Sequence, residues 1–356
     1  MTDRHHLTGR ILPETRREFE NLRTRQDKLK SIIFPVSNSP MLTAVSTSNL
    51  NRIRQIYTQP LPDLMFEAQR VHRSHHDPQA IQLCTLGNIK SGACPEDCGY
   101  CSQSVHNNSG LQPEPLMQHE AVLKEAQAAK AAGSTRFCMG AAWREVKDGA
   151  PFDRVLDMVR DVAALDLEVC CTLGMLQPHQ ASKLKAAGLT AYNHNLDTSP
   201  TYYEQVITTR TYQDRLDTIK AVSDAGISVC CGGIIGMGES QTDRLEFLEA
   251  LMKLEPTPES IPINTLIPIP GTPLEHAPPV DPLEIVRMIA TTRILFPTAI
   301  VRLTAGRSAM SDELQAMCFV AGANSIFTGP VLLTAPNPTR SHDAELLDRM
   351  GMVPKV

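Results

Sequence analysis

The sequence predicts an α/β chain folded as a (β/α)8 TIM-type barrel with an N-terminal helical extension. Three observations predict it. From about residue 80 onward, short apolar runs of strand length alternate with segments of helical apolar spacing. Most of these runs recur every 25 to 40 residues or so, roughly the length of one βα unit. Eight of them fit into roughly 250 residues, the usual extent of a closed eight-unit barrel. An open doubly wound sheet is the alternative that the same alternation permits.

In order, the strand candidates are residues 81–88, 135–142, 167–174, 189–197, 227–236, 260–268, 299–307 and 324–334. Helical spacing between them is clearest at Val155, Leu156, Val159, Val162 and Leu165, and again at Leu245, Leu248, Leu251 and Met252. In such a barrel the functional groups gather at the C-terminal ends of the strands and in the loops that follow. Residues 1–45 differ from the rest. They are rich in Arg, Lys and Glu, end in a Pro-Val-Ser-Asn-Ser-Pro break at 35–40, and carry one short helical pattern. We expect a poorly structured or helical leader there, dispensable or even bypassed by a translation start at Met41, with the barrel domain occupying 46–356.

Composition narrows the class. Of 356 residues, 42% are hydrophobic and 21% charged, enough apolar material for a large core. Aromatic residues make up only 4%, so that core rests on Leu, Ile, Val, Ala and Met. A net charge of −5 and a pI near 6.1 exert no global pull toward nucleic acid or an anionic membrane. No run approaches the roughly 18 apolar residues of a membrane span. The first 40 residues lack a signal-type apolar stretch, and Glu14, Glu18, Glu20 and Asp27 break up their basic character. A soluble cytoplasmic protein is expected. In that compartment ten cysteines point to metal binding or chemistry rather than a disulfide framework.

The strongest local signal is Cys94, Cys98 and Cys101, a C-x3-C-x2-C triplet just after the first strand candidate, in a loop opened by Ser91 and Gly92. Three thiolates so close in sequence can grip one face of a four-iron cluster and leave one iron open, since full cysteine ligation takes four. An open metal position is where a substrate or cofactor binds. A structural zinc site with a distant fourth ligand such as His106, or three unrelated core cysteines, are the competing readings. Zinc usually takes two ligand pairs, and no second pair follows. The loop setting beside Gly and Pro argues against a core role. With Tyr100 just before its third cysteine, the triplet resembles the signature of the radical S-adenosylmethionine superfamily. The resemblance implies a 4Fe–4S cluster on Cys94, Cys98 and Cys101. By the same resemblance, S-adenosylmethionine would chelate its open iron and be cleaved by one electron to a 5′-deoxyadenosyl radical.

A second constellation lies where a barrel interior is normally aliphatic. Cys138, the doublets Cys170/Cys171 and Cys230/Cys231, and Arg302 all fall inside strand candidates. Alternation lets one member of each doublet face inward, and spacing does not say which. A lone strand cysteine is commonly a small buried hydrophobe. Three strands carrying one, together with an arginine that needs an anionic partner, suggest an anionic cluster instead. Asn193, Asn195 and Asp197 follow at i, i+2 and i+4; in a strand they share one face and read as a hydrogen-bonding wall, with His194 turned the opposite way as a structural histidine. Asn264 adds a further polar group. Cys84 and Cys318 fall outside both sets and are expected in the core.

The stretches 90–104, 131–143, 192–200, 208–218, 232–239, 301–307 and 316–338 together resemble the biotin synthase family, in its order and spacing, from about residue 50 almost to the end. The resemblance implies a second, 2Fe–2S cluster ligated by Cys138, Cys170, Cys230 and Arg302, which selects the first cysteine of each doublet and acts as sulfur donor. It implies S-adenosylmethionine contacts at Tyr100 and Ala141 through backbone atoms, at Asn195 and Asp197 with the ribose, and at Arg215 with the methionyl carboxylate. Asn193, Asn195 and Asn264 would contact dethiobiotin. A flavodoxin or ferredoxin reductant and a homodimer are further implications. Two other readings remain. One is a different radical barrel, of the hydrogenase-maturation or methylornithine-synthase kind, which need not carry the interior Cys/Arg set. The other is a non-catalytic iron–sulfur protein, whose cluster would ignore added S-adenosylmethionine.

Overall fold

The computed structural model describes residues 49–355, so the expected leader at 1–45 lies outside the described residues. Two helices come first, α1 (Asn49–Tyr57) and α2 (Leu61–His75). Eight parallel staves follow: β1 (Ala80–Lys90), β2 (Arg136–Ala141), β3 (Glu168–Thr172), β4 (Ala191–Asn193), β5 (Ser228–Cys230) continued by β6 (Gly233–Ile235), β7 (Ser260–Thr265), β8 (Ile300–Leu303) and β9 (Ser325–Phe327). Pairing of β9 with β1, Gln82 opposite Ser325, closes the ring. The barrel expectation holds and the open sheet does not.

Between staves run α3 (His119–Ala131), α4 (Ala150–Ala163), α5 (Pro178–Ala186), α6 (Tyr212–Asp224), α7 (Gln241–Met252), α8 (Pro282–Leu295) and α9 (Asp312–Val320), with α10 (Arg340–Met350) after the last stave. Their starts are chemically marked. Thr211 and Ser240 each accept from the backbone N–H three residues on, while Asp214 and Asp243 reach back, forming reciprocal capping boxes. The spacing read at Val155, Leu156, Val159 and Val162 is the buried face of α4, and Leu245, Leu248 and Leu251 are that of α7. On the outer layer α1 and α2 are tied down at Tyr57, whose hydroxyl donates to Glu284 at 2.7 Å and whose carbonyl accepts from Arg287.

Most strand candidates come out shorter than read, the 299–307 run only as Ile300–Leu303, and two of them end for visible reasons. The 189–197 run is strand only over Ala191–Asn193, because Asp197 turns into the left-handed region at φ +66° and ends the extended path. The 324–334 run stops at Phe327. Gly329 takes φ +119° and Pro330 has no N–H to donate to a ladder, so the chain reverses into a hairpin of β10 (Val331–Leu332) and β11 (Ala335–Pro336). A last short strand, β12 (Val353–Pro354), adds to the outer end of β1.

The fifth stave is broken at Cys231–Gly232, and Gly232 shows why glycine is needed there. A Cβ at this position would sit 1.9 Å from the Pro262 carbonyl oxygen of β7. That contact is with backbone and cannot be relieved by a rotamer. Gly232→Ala is therefore expected to destabilise the chain by about 1–3 kcal/mol, the cost of overpacking, read as a drop in thermal midpoint.

A pH-sensitive point sits behind the barrel. His72 and His76 stack with ring centroids 5.3 Å apart, and Arg293 donates toward His76 Nε2 at 2.9 Å. Burial, then the Arg293 charge, depress both imidazoles to about 4. Both are neutral in the fold, whereas the unfolded chain takes up their protons near 6.5. Stability is thus fully present above about pH 6.5 and declines as pH falls toward 4. Urea unfolding at pH 7.5 and pH 5 is expected to show the lower midpoint at pH 5, and a His72→Gln/His76→Gln variant to lose part of that difference.

Candidate functional site

A cavity of about 330 Å³ opens at the C-terminal ends of the staves and reaches down into the barrel. Its mouth is bounded by the loop after β1 and by the β10–β11 hairpin, whose Thr334 hydroxyl lies 2.6 Å from that of Ser102.

Cys94, Cys98 and Cys101 all line this cavity. Their loop is wound on itself. Cys94 N donates to Gln103 O and Val105 N to Cys94 O, while Asn107 Nδ2 donates to the carbonyls of Cys98 (3.0 Å) and Cys101 (2.8 Å). Burial pushes the Cys98 thiol up to about 12 and that of Cys101 to about 11. Burial also raises Cys94. Thiolates here are favoured by a bound cation, which lowers a coordinated thiol's pKa. His106, the candidate zinc ligand, instead bonds the Pro95 carbonyl at 3.1 Å on the exposed side. Among the described residues no trio of His, Cys, Asp and Glu closes on a single metal ion. Three thiols facing one cavity from one short loop suit one face of a polynuclear cluster.

Deeper in the same cavity lie Cys138, Cys170, Cys230 and Arg302. Cys138 and Cys170 are direct partners across β2 and β3, and Cys170 pairs with Ala191, whose small side chain leaves space beside the thiols. Cys171 and Cys231 point outward into the apolar layer with Tyr192 and Val229. The doublets thus turn their first cysteine inward. Arg302 is 1% exposed. Its Nη1 lies 3.8 Å from Cys230 Sγ, its Nε donates to Ser325 Oγ at 2.9 Å, and its Nη2 reaches Gln82 Oε1 at 3.4 Å. Contact with Cys138, then burial, hold the Cys170 thiol well above its ordinary range. A fully buried guanidinium with no carboxylate among these partners is an unbalanced charge, and an anionic thiolate-bound cluster would balance it. Cys84 lies in the barrel interior, 3.6 Å from Ser325 Oγ, and Cys318 is buried on α9.

The polar wall forms, but not by strand alternation. Asn193 Nδ2 donates to Asn195 Oδ1 at 3.0 Å, and that same oxygen accepts from Gly232 N. Beyond the end of β4 the backbone turn at Asp197 aims its carboxylate at Tyr100, whose hydroxyl donates at 2.9 Å, and at Arg215, whose Nη2 lies 2.5 Å away. Arg215 also donates to Tyr203 Oη (2.7 Å) and Asn195 O (2.5 Å). Asn264 Oδ1 accepts from Thr304 Oγ1 and its Nδ2 donates to Gly233 O at 2.9 Å. Ala141 lines the same space. His194 is buried with its ring centroid 6.3 Å from that of Tyr192, which belongs to the outer apolar layer, although the residue also borders the cavity. Burial, with Arg215 and Arg210 nearby, keeps its imidazole neutral.

The sequence reading passed over Glu96, Asp97 and the facing segment Thr208, Thr209 and Arg210. Asp97 accepts from the backbone N–H groups of Thr208 (2.9 Å) and Thr209 (3.1 Å). Burial raises its carboxyl, and the bonds from Thr208 and Thr209 more than offset that, leaving it at about 2. Two acids placed between Cys94 and Cys98 of the triplet were the available signal.

The fold and these thiols define an iron–sulfur barrel of the radical S-adenosylmethionine class. Residues 88–251 match the model of the Radical SAM superfamily, and 262–353 match the Biotin and Thiamin Synthesis associated domain. The chain belongs to the biotin synthase family. It is 71% identical over 315 residues to the biotin synthase of Gloeobacter violaceus, covering 88% of this chain and 99% of that one. The biotin synthase of Synechococcus sp. (strain JA-3-3Ab) is 56% identical, covering 86% and 98%. Methylornithine synthase superposes with a TM-score of 0.72 at 18% identity, covering 86% of this chain and 94% of that one. The FeFe-hydrogenase maturase of Carboxydothermus hydrogenoformans gives 0.73 at 16% identity, covering 96% and 83%. At such identities these two show the shared fold and nothing of their chemistry. Among the described residues no helix is long and apolar enough to cross a membrane.

Proposed function

We propose that this enzyme inserts sulfur into dethiobiotin to form biotin, with Cys94, Cys98 and Cys101 holding a 4Fe–4S cluster and Cys138, Cys170, Cys230 and Arg302 holding a 2Fe–2S cluster. One observation carries the reading: a single cavity has one set of thiols at its mouth and another at its floor, with a polar wall between them. Bound there, the two clusters and S-adenosylmethionine supply the electron, the hydrogen-abstracting radical and the sulfur.

The chain's own part is placement and exclusion of water. Asp197, oriented by Arg215 and Tyr100, offers a carboxylate to the ribose diol, with Asn195 beside it. Arg215 keeps further guanidinium donors for the methionyl carboxylate, while Tyr100 and Ala141 meet the adenosyl group through backbone atoms. Asn193, Asn195 and Asn264 each bear a donor and an acceptor, which suits the cyclic urea of dethiobiotin. Leu86, Ile234, Leu266, Phe327 and Leu333 line the apolar remainder and keep the radical path dry. The site is built from residues within 46–356, which we take as the catalytic domain. A cytoplasmic homodimer served by a flavodoxin or ferredoxin completes the proposal, on the strength of the family resemblance.

The test is anaerobic reconstitution, followed by dithionite, S-adenosylmethionine and dethiobiotin. Two clusters per chain, with 5′-deoxyadenosine and biotin formed together, are expected. Deoxyadenosine without biotin would overturn the substrate, and bound zinc without iron would overturn the chemistry.

A further inference from the structure

The cysteine loop and the segment before α6 are far apart in sequence yet bound together at many points. Asp97 takes the N–H groups of Thr208 and Thr209, and the Thr208 hydroxyl donates to it as well. Asp97 N in turn donates to Thr209 Oγ1 at 3.0 Å, and Gly99 N donates to Val206 O at 2.9 Å. The Thr209 hydroxyl has Glu96 and Asp97 both within reach, and its one proton serves one of them at a time. Glu96 is 2% exposed, with Arg144 Nη1 at 3.2 Å and Arg210 Nε at 3.9 Å. Arg144 also donates to the Thr209 carbonyl. Neither acid reaches Cys94, Cys98 or Cys101 through its side chain in any of these bonds. Both are turned toward the other segment; Glu96 is buried, which a carboxylate tolerates only where it is paired and hydrogen-bonded, while Asp97 is partly exposed and held by the bonds from Thr208 and Thr209.

We infer that Glu96 and Asp97 are positioning residues that clamp the cluster-bearing loop to the segment leading into α6, and so set the distance between the open iron and Arg215. The inference rests on the functional reading above. S-adenosylmethionine must be held at two places at once: at the iron carried by the cysteine loop, and at Arg215 and Asp197, with Arg215 five residues past Arg210 on α6. Two grips on separate segments cooperate only if their spacing is preset, and a shift of about 1 Å between reacting groups can cost on the order of 100-fold in rate. Charge-assisted bonds from a carboxylate to backbone N–H groups hold spacing better than neutral ones. The clamp therefore acts on cofactor affinity, not on iron retention.

The experiment compares reconstituted wild type with Asp97→Asn, Asp97→Glu and Thr208→Val, measuring iron and sulfide content, thermal midpoint, and S-adenosylmethionine affinity from the change it causes in the reduced four-iron cluster's EPR spectrum. In Asp97→Asn we expect wild-type iron with S-adenosylmethionine binding weakened about tenfold, the size of a lost charge-assisted bond. Partial recovery is expected in Asp97→Glu. Thr208→Val, which removes an exposed hydroxyl from the other side, should weaken binding several-fold. Adding it to Asp97→Asn should change little, since both break the same contact. Wild-type affinity in a folded Asp97→Asn overturns the inference. So does loss of iron with unchanged affinity in the loaded fraction. Should Asp97→Asn not fold, unchanged affinity in Thr208→Val overturns it alone. A wild-type cluster indifferent to S-adenosylmethionine overturns the functional reading itself, a result distinct from any of these.

Discussion

Cys98→Ala is expected to abolish the four-iron cluster and with it all deoxyadenosine formation, while the interior cluster still assembles. Cys98 is nearly buried, lines the cavity mouth, and sits in a loop held by Asn107 through two carbonyls. Loss of an outer-shell partner already costs about 10- to 100-fold in metal affinity or activity, so loss of a thiolate ligand should exceed about 100-fold. Iron per chain and deoxyadenosine yield measure it. The interior set allows a sharper contrast. Cys170→Ala should remove the second cluster, whereas Cys171→Ala, one residue on but facing the apolar layer, should keep both clusters and lose only packing. Equal iron in the two variants would refute the assignment of Cys170 as ligand.

Arg215→Met should be the most damaging change outside the cysteines. Arg215 and Asp197 form a pair whose side chains are 5% and 3% exposed, and removing one partner of a buried pair costs about 3–5 kcal/mol. Arg215 also carries the Tyr203 hydroxyl and the Asn195 carbonyl, so two more buried groups lose their donor. Both stability and S-adenosylmethionine affinity should fall. Asp197 would retain the Tyr100 hydroxyl, but that neutral bond does not balance its charge. Arg215→Lys should rescue stability in part and affinity poorly, because an ammonium cannot span three partners as the planar guanidinium does. Denaturant midpoints and cofactor titrations separate the two effects.

The barrel was legible because its evidence is local. Strand-length apolar runs and helical spacing are properties of the chain in order, and the eight expected runs all became staves. The capping boxes at Thr211 and Ser240 are equally local. The reading lost accuracy where a strand had to end. Periodicity carried the fourth run through Asp197, yet the left-handed turn there reflects how the chain meets β6: Ile234 N donates to the Asp197 carbonyl at 2.8 Å. A contact between residues 37 positions apart leaves no trace in either residue's neighbours.

By itself the sequence determined which chemistry was available. Three cysteines within eight residues of one Gly- and Pro-flanked loop can converge without help from distant segments, so the triplet was readable from its own stretch of chain. Which cysteine of each doublet faces the cavity was decided only by the closed barrel, because register against neighbouring staves sets the direction of every side chain. The same holds for Asp197 with Arg215 and Tyr100, and for Asp97 with Thr208 and Thr209. Sequence order sets composition and local spacing, but charges separated by tens of residues meet only after the barrel closes, and closure depends on the packing of the whole chain.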